Sequence, residues 1–139
     1  NIILVDDYAH HPIEVKYTLD AAKSGWTNRI ISIFEPHLYS RTKDFYKQFA
    51  NALSISDKII ITDIYGAREK PIEGVTSELI VQQLKNNNFN DVLYIKDKNN
   101  IPKKLIDLIY KNDMIIYMGA GKINSIINKS IELIQNKYE

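Results

Sequence analysis

Five apolar stretches, rich in β-branched residues, recur along the chain at residues 2–5, 30–34, 58–62, 92–95 and 114–118. Each is apolar on consecutive positions, the pattern of a strand covered on both faces and not of one with a wet side. Between them lie polar segments with helical periodicity, which predict helices over about 11–23, 40–53, 76–85, 102–110 and 122–136. In the second of these, Phe45, Tyr46, Phe49, Ala52 and Leu53 form one apolar stripe, and Thr76, Leu79, Ile80, Gln83 and Leu84 repeat the spacing in the third. Strand and helix alternating from end to end predict an α/β fold of three layers, a mostly parallel sheet with helices on both faces and right-handed crossovers. The polar segments 86–90 and 96–100 read as exposed turns, and no repeat, linker or low-complexity stretch divides the chain. Residues 1–139 are therefore expected to form a single domain.

Charge narrows the partners. Lys and Arg number 18 against 17 Asp and Glu, so there is no global basic field for a nucleic acid, and no apolar run is long enough to cross a bilayer. Neither nucleic acid nor membrane is expected as a partner. The absence of cysteine removes disulfides, thiolate metal sites and a cysteine nucleophile together and fits a reducing, cytoplasmic setting. The chain opens on Asn1 and goes directly into an apolar run, which reads as a piece of a longer protein.

In an open parallel sheet, ligands bind beyond the carboxyl ends of the strands. The scarce residues suited to anion binding and proton transfer fall there. The turn after the first strand reads Asp6-Asp7-Tyr8-Ala9-His10-His11-Pro12, and that after the second Glu35-Pro36-His37-Leu38-Tyr39-Ser40-Arg41-Thr42. The third carries Asp63-Ile64-Tyr65-Gly66-Ala67-Arg68-Glu69-Lys70-Pro71, and the fifth Gly119-Ala120-Gly121-Lys122. Helix capping and strand breaking explain Asp, His or Pro at any one such turn. They do not explain why all three histidines and two of the three arginines gather on one edge. That edge offers an anion site. The backbone N–H groups behind Pro12 and at Ser40 or Thr42 are expected to be free for it, and Arg41 adds a bidentate fork. Asp6 and Asp7 suit a hydroxyl, an amine or a hydrated cation, and His10 and His37 can donate to phosphate or carboxylate. Adjacent His10 and His11 point apart and make no zinc pair, and Gly-x-Ser-x-Gly and Gly-x-x-x-x-Gly-Lys-Ser/Thr are both missing.

Asp7-Tyr8-Ala9-His10-His11-Pro12 resembles the Asp-x-Ala-His-x-Pro signature that opens the C-terminal domain of the Mur ligases and the related folylpolyglutamate synthetases. Phe34-Glu35-Pro36-His37-Leu38-Tyr39-Ser40-Arg41-Thr42 resembles the Phe-Gln-Pro-His-x-Tyr-Ser-Arg-Thr segment of the alanine-adding branch, with Glu35 where Gln is usual and Leu38 where some members carry Arg. The third turn and Met118-Gly119-Ala120-Gly121 are similar to that branch in the same order. The resemblance implies a three-domain cytoplasmic ligase of peptidoglycan precursor synthesis, using ATP and Mg²⁺ to join L-alanine to UDP-N-acetylmuramate through an acyl phosphate. The phosphate loop and most metal ligands are expected in preceding N-terminal and central domains, no metal ligand in this one, and no turnover by this chain alone. By the same resemblance His10 and Asp7 are catalytic, Asp7, Tyr8 and His10 line the nucleotide, and Tyr8, His37 and Arg41 contact substrate. Two other readings stay open: the branch that recycles murein tripeptide, which shares the first motif, and a phosphoacceptor signalling domain using Asp63.

Overall fold

The computed structural model describes residues 1–138. Five parallel strands, β1 (Ile3–Asp7), β2 (Ile30–Phe34), β3 (Lys58–Ile61), β4 (Val92–Tyr94) and β5 (Met114–Met118), form one sheet in the order β1-β5-β2-β3-β4. The helices are α1 (Pro12–Gly25), α2 (Tyr39–Leu53), α3 (Glu78–Asn86), α4 (Ile101–Leu108) and α5 (Ile127–Tyr138). The chain steps across the sheet from β1 to β4 and then returns to place β5 between β1 and β2. With right-handed crossovers the reversal puts the helices of the two directions on opposite faces. One core accordingly joins Val15 and Leu19 of α1, Phe49 and Leu53 of α2 and Ile80 and Leu84 of α3 to Ile30, Phe34, Ile59, Ile61, Ile116 and Met118. The other joins Ile101 and Leu105 of α4 and Ile134 of α5 to Ile31, Ile33, Ile60, Ile115 and Tyr117. Alternate strand residues thus feed alternate layers, and all five residues of β2 are buried.

The α/β architecture matches the expectation, and the departures have local causes. β1 runs two residues past the expected 2–5, because Asp6 and Asp7 continue the ladder opposite Tyr117 and Met118. The two acids therefore end a strand and do not begin a turn. β3 and β4 stop at Ile61 and Tyr94, and the last helix starts at Ile127, after a 3₁₀ turn over Ile123–Ile126. In α2 the expected stripe is only partly core, since Phe49, Ala52 and Leu53 are buried while Phe45 is 39% exposed. Arg29, the arginine away from the polar edge, clamps the opposite end of the sheet: its guanidinium donates to both carboxylate oxygens of buried Asp113, at 3.2 and 2.7 Å, and to Leu108 O. A second 3₁₀ turn, Lys98–Asn100, leads into α4 and brings Lys98 to the polar edge.

Candidate active site at the carboxyl edge of the sheet

The β1, β2 and β3 turns converge as a row of rings. Tyr8 meets His10 edge to face with centroids 5.2 Å apart, His10 lies 5.7 Å from His37, and His37 lies 5.8 Å from Tyr65. The backbone that carries His37 is pinned from the neighbouring turn: Tyr65 N–H donates to Pro36 O at 2.8 Å and Leu38 N–H to Tyr65 O at 2.9 Å. That pairing holds Leu38 at φ +73°, a conformation rare for a branched side chain. Strain of this kind persists only where surrounding contacts over-determine it, and it marks the turn between His37 and Arg41.

The structure brings Tyr8, His10 and His37 together, with Arg41 one helical turn further on. Tyr8 is 71% exposed, so its ring is presented to solvent. His10 Nδ1 lies 2.8 Å from Tyr8 O. A carbonyl only accepts, so Nδ1 carries the hydrogen and Nε2 keeps a free lone pair when the ring is neutral. Buried Nδ1 of His37 and NH1 of Arg41 have no hydrogen-bond partner in the protein. Groups of this kind need a partner, since an unsatisfied buried donor or acceptor costs about 1–3 kcal/mol. Burial, with the charge of Arg41 and then that of His10 beside it, holds the His37 pKa below its ordinary value, so the ring is neutral near pH 7. Asp7 is turned inward: its carboxylate accepts from Ala9 N–H at 2.8 Å and from Thr18 Oγ at 3.3 Å. It shapes the turn that carries Tyr8 and His10. Asp6, His11 and Arg68 are exposed on the same edge.

Of the backbone amides expected to be free, that of Ser40 is taken by a glutamate and that of Thr42 by Leu38 O, while at α1 the glutamate takes the two amides that precede Pro12. At the start of α1, His10 N–H and His11 N–H donate to Glu14 Oε1 at 3.1 and 3.0 Å, and these two bonds lower the Glu14 pKa. At the start of α2, Ser40 N–H donates to Glu69 Oε1 at 3.0 Å and its hydroxyl donates to Glu69 Oε2, which lowers the Glu69 pKa. Thr42 Oγ returns to Leu38 O at 2.9 Å. At the β5 turn, Lys122 N–H and Ile123 N–H donate to Glu35 Oε1 at 2.8 and 3.1 Å. Three glutamates therefore engage backbone amides at three of the turns, and the side chains of the edge carry much of the recognition left to a bound anion. Sequence reading missed Glu14 and Glu35 in these roles. For Glu14 the signal was present, an acid three residues after the residue preceding a helix; for Glu35 no local signal exists, because its donors are 87 and 88 residues away.

Beyond Tyr65, between the ends of β3 and β4, a notch of about 540 Å³ is lined by Glu35, Asp63, Lys96 and Lys98 among others. Asp63 there accepts from the Tyr94 hydroxyl, which together with burial raises the Tyr94 pKa. Among the described residues no three His, Asp or Glu side chains converge as a metal site, and no helix is long and apolar enough to cross a membrane.

Comparison with known proteins fits this geometry. The family model described as Mur ligase, glutamate ligase domain, matches residues 1–121. The UDP-N-acetylmuramate–L-alanine ligase of Geotalea uraniireducens is 42% identical over 135 residues, which are 97% of this chain and 30% of that protein. The crystal structure of UDP-N-acetylmuramate–alanine ligase from Thermotoga maritima superposes with a TM-score of 0.75 at 26% identity, over 99% of this chain and 27% of that one. A murein peptide ligase from Psychrobacter arcticus shares the fold, with a TM-score of 0.78 at 21% identity over 97% of this chain and 28% of that one. The chain thus spans under a third of the length of the relatives it matches.

Proposed function

Since the chain belongs to the Mur ligase family through its glutamate ligase domain, we propose that residues 1–139 are the single C-terminal domain of a three-domain cytoplasmic enzyme that joins L-alanine to UDP-N-acetylmuramate. The observation that carries the reading is the pair of buried, unpartnered side-chain nitrogens, His37 Nδ1 and Arg41 NH1, at an edge where glutamates already engage the amides of Ser40 and of the β5 turn. Such a site suits one carboxylate held by directional side-chain donors more than a polyphosphate wrapped by backbone N–H groups. The 42% identity to an L-alanine ligase supports the alanine-adding branch over the tripeptide-recycling one, whose structure is 21% identical and speaks for the fold alone. The family match over residues 1–121 likewise displaces the phosphoacceptor reading of Asp63, whose carboxylate is engaged by Tyr94.

On this reading ATP supplies the phosphoryl group that activates the muramyl carboxylate. Arg41 and His37 hold the carboxylate of L-alanine or of the muramyl group, so the amine and the acyl carbon meet in line. The ammonium of L-alanine first gives up one proton to free its lone pair. The nitrogen then bonds the acyl carbon, the acyl C–O bond to phosphate breaks, phosphate leaves with that electron pair, and the nitrogen sheds a second proton to become the amide N–H. His10 Nε2, kept free by the bond from Nδ1–H to Tyr8 O, is placed to accept one of these protons. Tyr8 and Asp7 build the nucleotide side of the turn, Tyr8 with an exposed ring and Asp7 by holding the turn. Mg²⁺ ligands and the phosphate loop belong to the preceding domains.

The test is phosphate release by the full-length enzyme given ATP, UDP-N-acetylmuramate and either L-alanine or the murein tripeptide. Release that depends on L-alanine is expected. Release with tripeptide and none with L-alanine would assign the protein to the recycling branch.

A further inference from the structure

Glu35 is an acid in an unusual place: buried to 1% exposure, at the end of the most buried strand, and outside both apolar layers. Its Oε1 accepts from Lys122 N–H at 2.8 Å and Ile123 N–H at 3.1 Å, and Lys98 Nζ approaches its Oε2 to 3.4 Å. Its backbone N–H donates to Met118 O at 3.0 Å. The glycines of the β5 turn are shaped around it. A Cβ at Gly121 would lie 2.7 Å from Glu35 Oε1 and 2.6 Å from the Tyr65 ring, and one at Gly119 would lie 3.2 Å from Glu35 O. One carboxylate therefore joins the turns after β2, β4 and β5, and Tyr65 of the β3 turn closes against the same glycine.

A buried ion is retained only where hydrogen bonds and a counter-charge replace its water, and an apolar side chain of similar size is often at least as stable. The geometry of Glu35 is better explained by placement than by stability. It is two residues from His37, Pro36 between them fixes φ, and Pro36 O is the acceptor for Tyr65 N–H. The backbone of His37 and of the strained Leu38 is thereby tied to the β5 turn through Glu35, in addition to its pairing with Tyr65 of the β3 turn.

We propose that Glu35 is a positioning residue: by reaching the two amides of the β5 turn, with Lys98 as counter-ion, it holds His37 and Arg41 where they meet the substrate carboxylate. Reach is the essential property and charge is secondary. This rests on the ligase reading above, in which His37 and Arg41 bind that carboxylate.

Two substitutions in the full-length enzyme separate reach from charge. Glu35→Gln keeps an acceptor oxygen at the same reach and gives up the charge. Glu35→Asp keeps the charge and withdraws it by one methylene. Glu35→Asp is expected to raise KM for the carboxylate-bearing substrate held at His37 and Arg41 at least fivefold, with KM for ATP within twofold of the parent; Glu35→Gln should stay within twofold on both. A merely structural role would lower kcat in proportion to the folded fraction and leave KM unmoved. That result, a Glu35→Asp enzyme with parental KM, or a Glu35→Gln enzyme as impaired as Glu35→Asp, would overturn the proposal.

Hydrogen exchange of the same full-length variants tests the joint without reference to any reaction. Glu35→Asp should lose protection in residues 37–41 and 119–123 together, and Glu35→Gln should not. Parental protection in Glu35→Asp, or loss confined to 119–123, would overturn the joint. A parent enzyme that turns over no L-alanine while the exchange result holds would instead overturn the ligase reading.

Discussion

His37 is surrounded so that its proton is unwelcome. Burial disfavours the imidazolium first, Arg41, His10 and His11 add like charge, and Glu69 alone opposes them. The folded pKa therefore lies below the ordinary 6.5, and the unfolded chain takes the proton more readily. Stability then falls as pH drops below about 6.5 through the folded value. Glu14 and Glu69, whose pKa values are also lowered, act in the same direction at lower pH, their contribution being lost only as pH falls below 4.5. Replacing His37 with Gln should flatten the decline just below neutrality and leave the lower limb in place. Thermal unfolding at about pH 7.5 and 5.5 checks this, and parallel curves for parent and variant would contradict it. Leu38 supplies a second residue-scale expectation. At φ +73° it carries strain of about 1–3 kcal/mol that glycine would relieve. Leu38→Gly should leave stability unchanged or raise it by about 1 kcal/mol, where truncating a half-buried leucine elsewhere normally destabilises. The motif residues on this scale, His10, His37 and Arg41, were readable from sequence because they fall at strand ends. The strain at Leu38 and the inward turn of Asp7 were not, because they follow from Tyr65 and Thr18, partners that strand and helix periodicity does not locate.

At the scale of elements, the sheet and its helices were legible because strand periodicity and helix periodicity differ, and β2 and β5 fall where their apolar runs fall. Element ends were less so. β1 gained Asp6 and Asp7 through pairing with β5, a strand more than a hundred residues later. The helix starts were expected to be open anion sites; at α2 Glu69 takes the Ser40 amide from a turn 29 residues beyond its donor, and at α1 Glu14 takes the amides of His10 and His11 just before the helix. The joint between turns makes a sharp demand on one glycine. A methyl group at Gly121 would meet the Tyr65 ring and the Glu35 carboxylate at 2.6–2.7 Å, and relief requires one of the two to move. Gly121→Ala should destabilise by about 1–3 kcal/mol, the usual range for overpacking, as read by denaturant unfolding. A change within about 0.5 kcal/mol would mean that the β5 turn is not held as described.

For the molecule as a whole, on the proposed reading the chain supplies one wall of an active site. It presents side-chain donors and a free imidazole nitrogen at a single edge, and it matches 30% of the length of an L-alanine ligase relative. No Gly-x-x-x-x-Gly-Lys-Ser/Thr loop lies within its residues. The 139-residue chain by itself should accordingly release no phosphate from ATP with UDP-N-acetylmuramate and L-alanine, and turnover by it would place the phosphate-handling groups here. The most direct measurement of the central claim is the steady-state kinetics of Arg41→Ala in the full-length enzyme. Loss of a partly buried charge pair with a substrate carboxylate is worth about 2–4 kcal/mol, so kcat/KM for the carboxylate substrate should fall by roughly 30- to 1,000-fold. Kinetics equal to the parent in a folded Arg41→Ala enzyme would remove Arg41 from the site and contradict the assignment of this edge to substrate positioning.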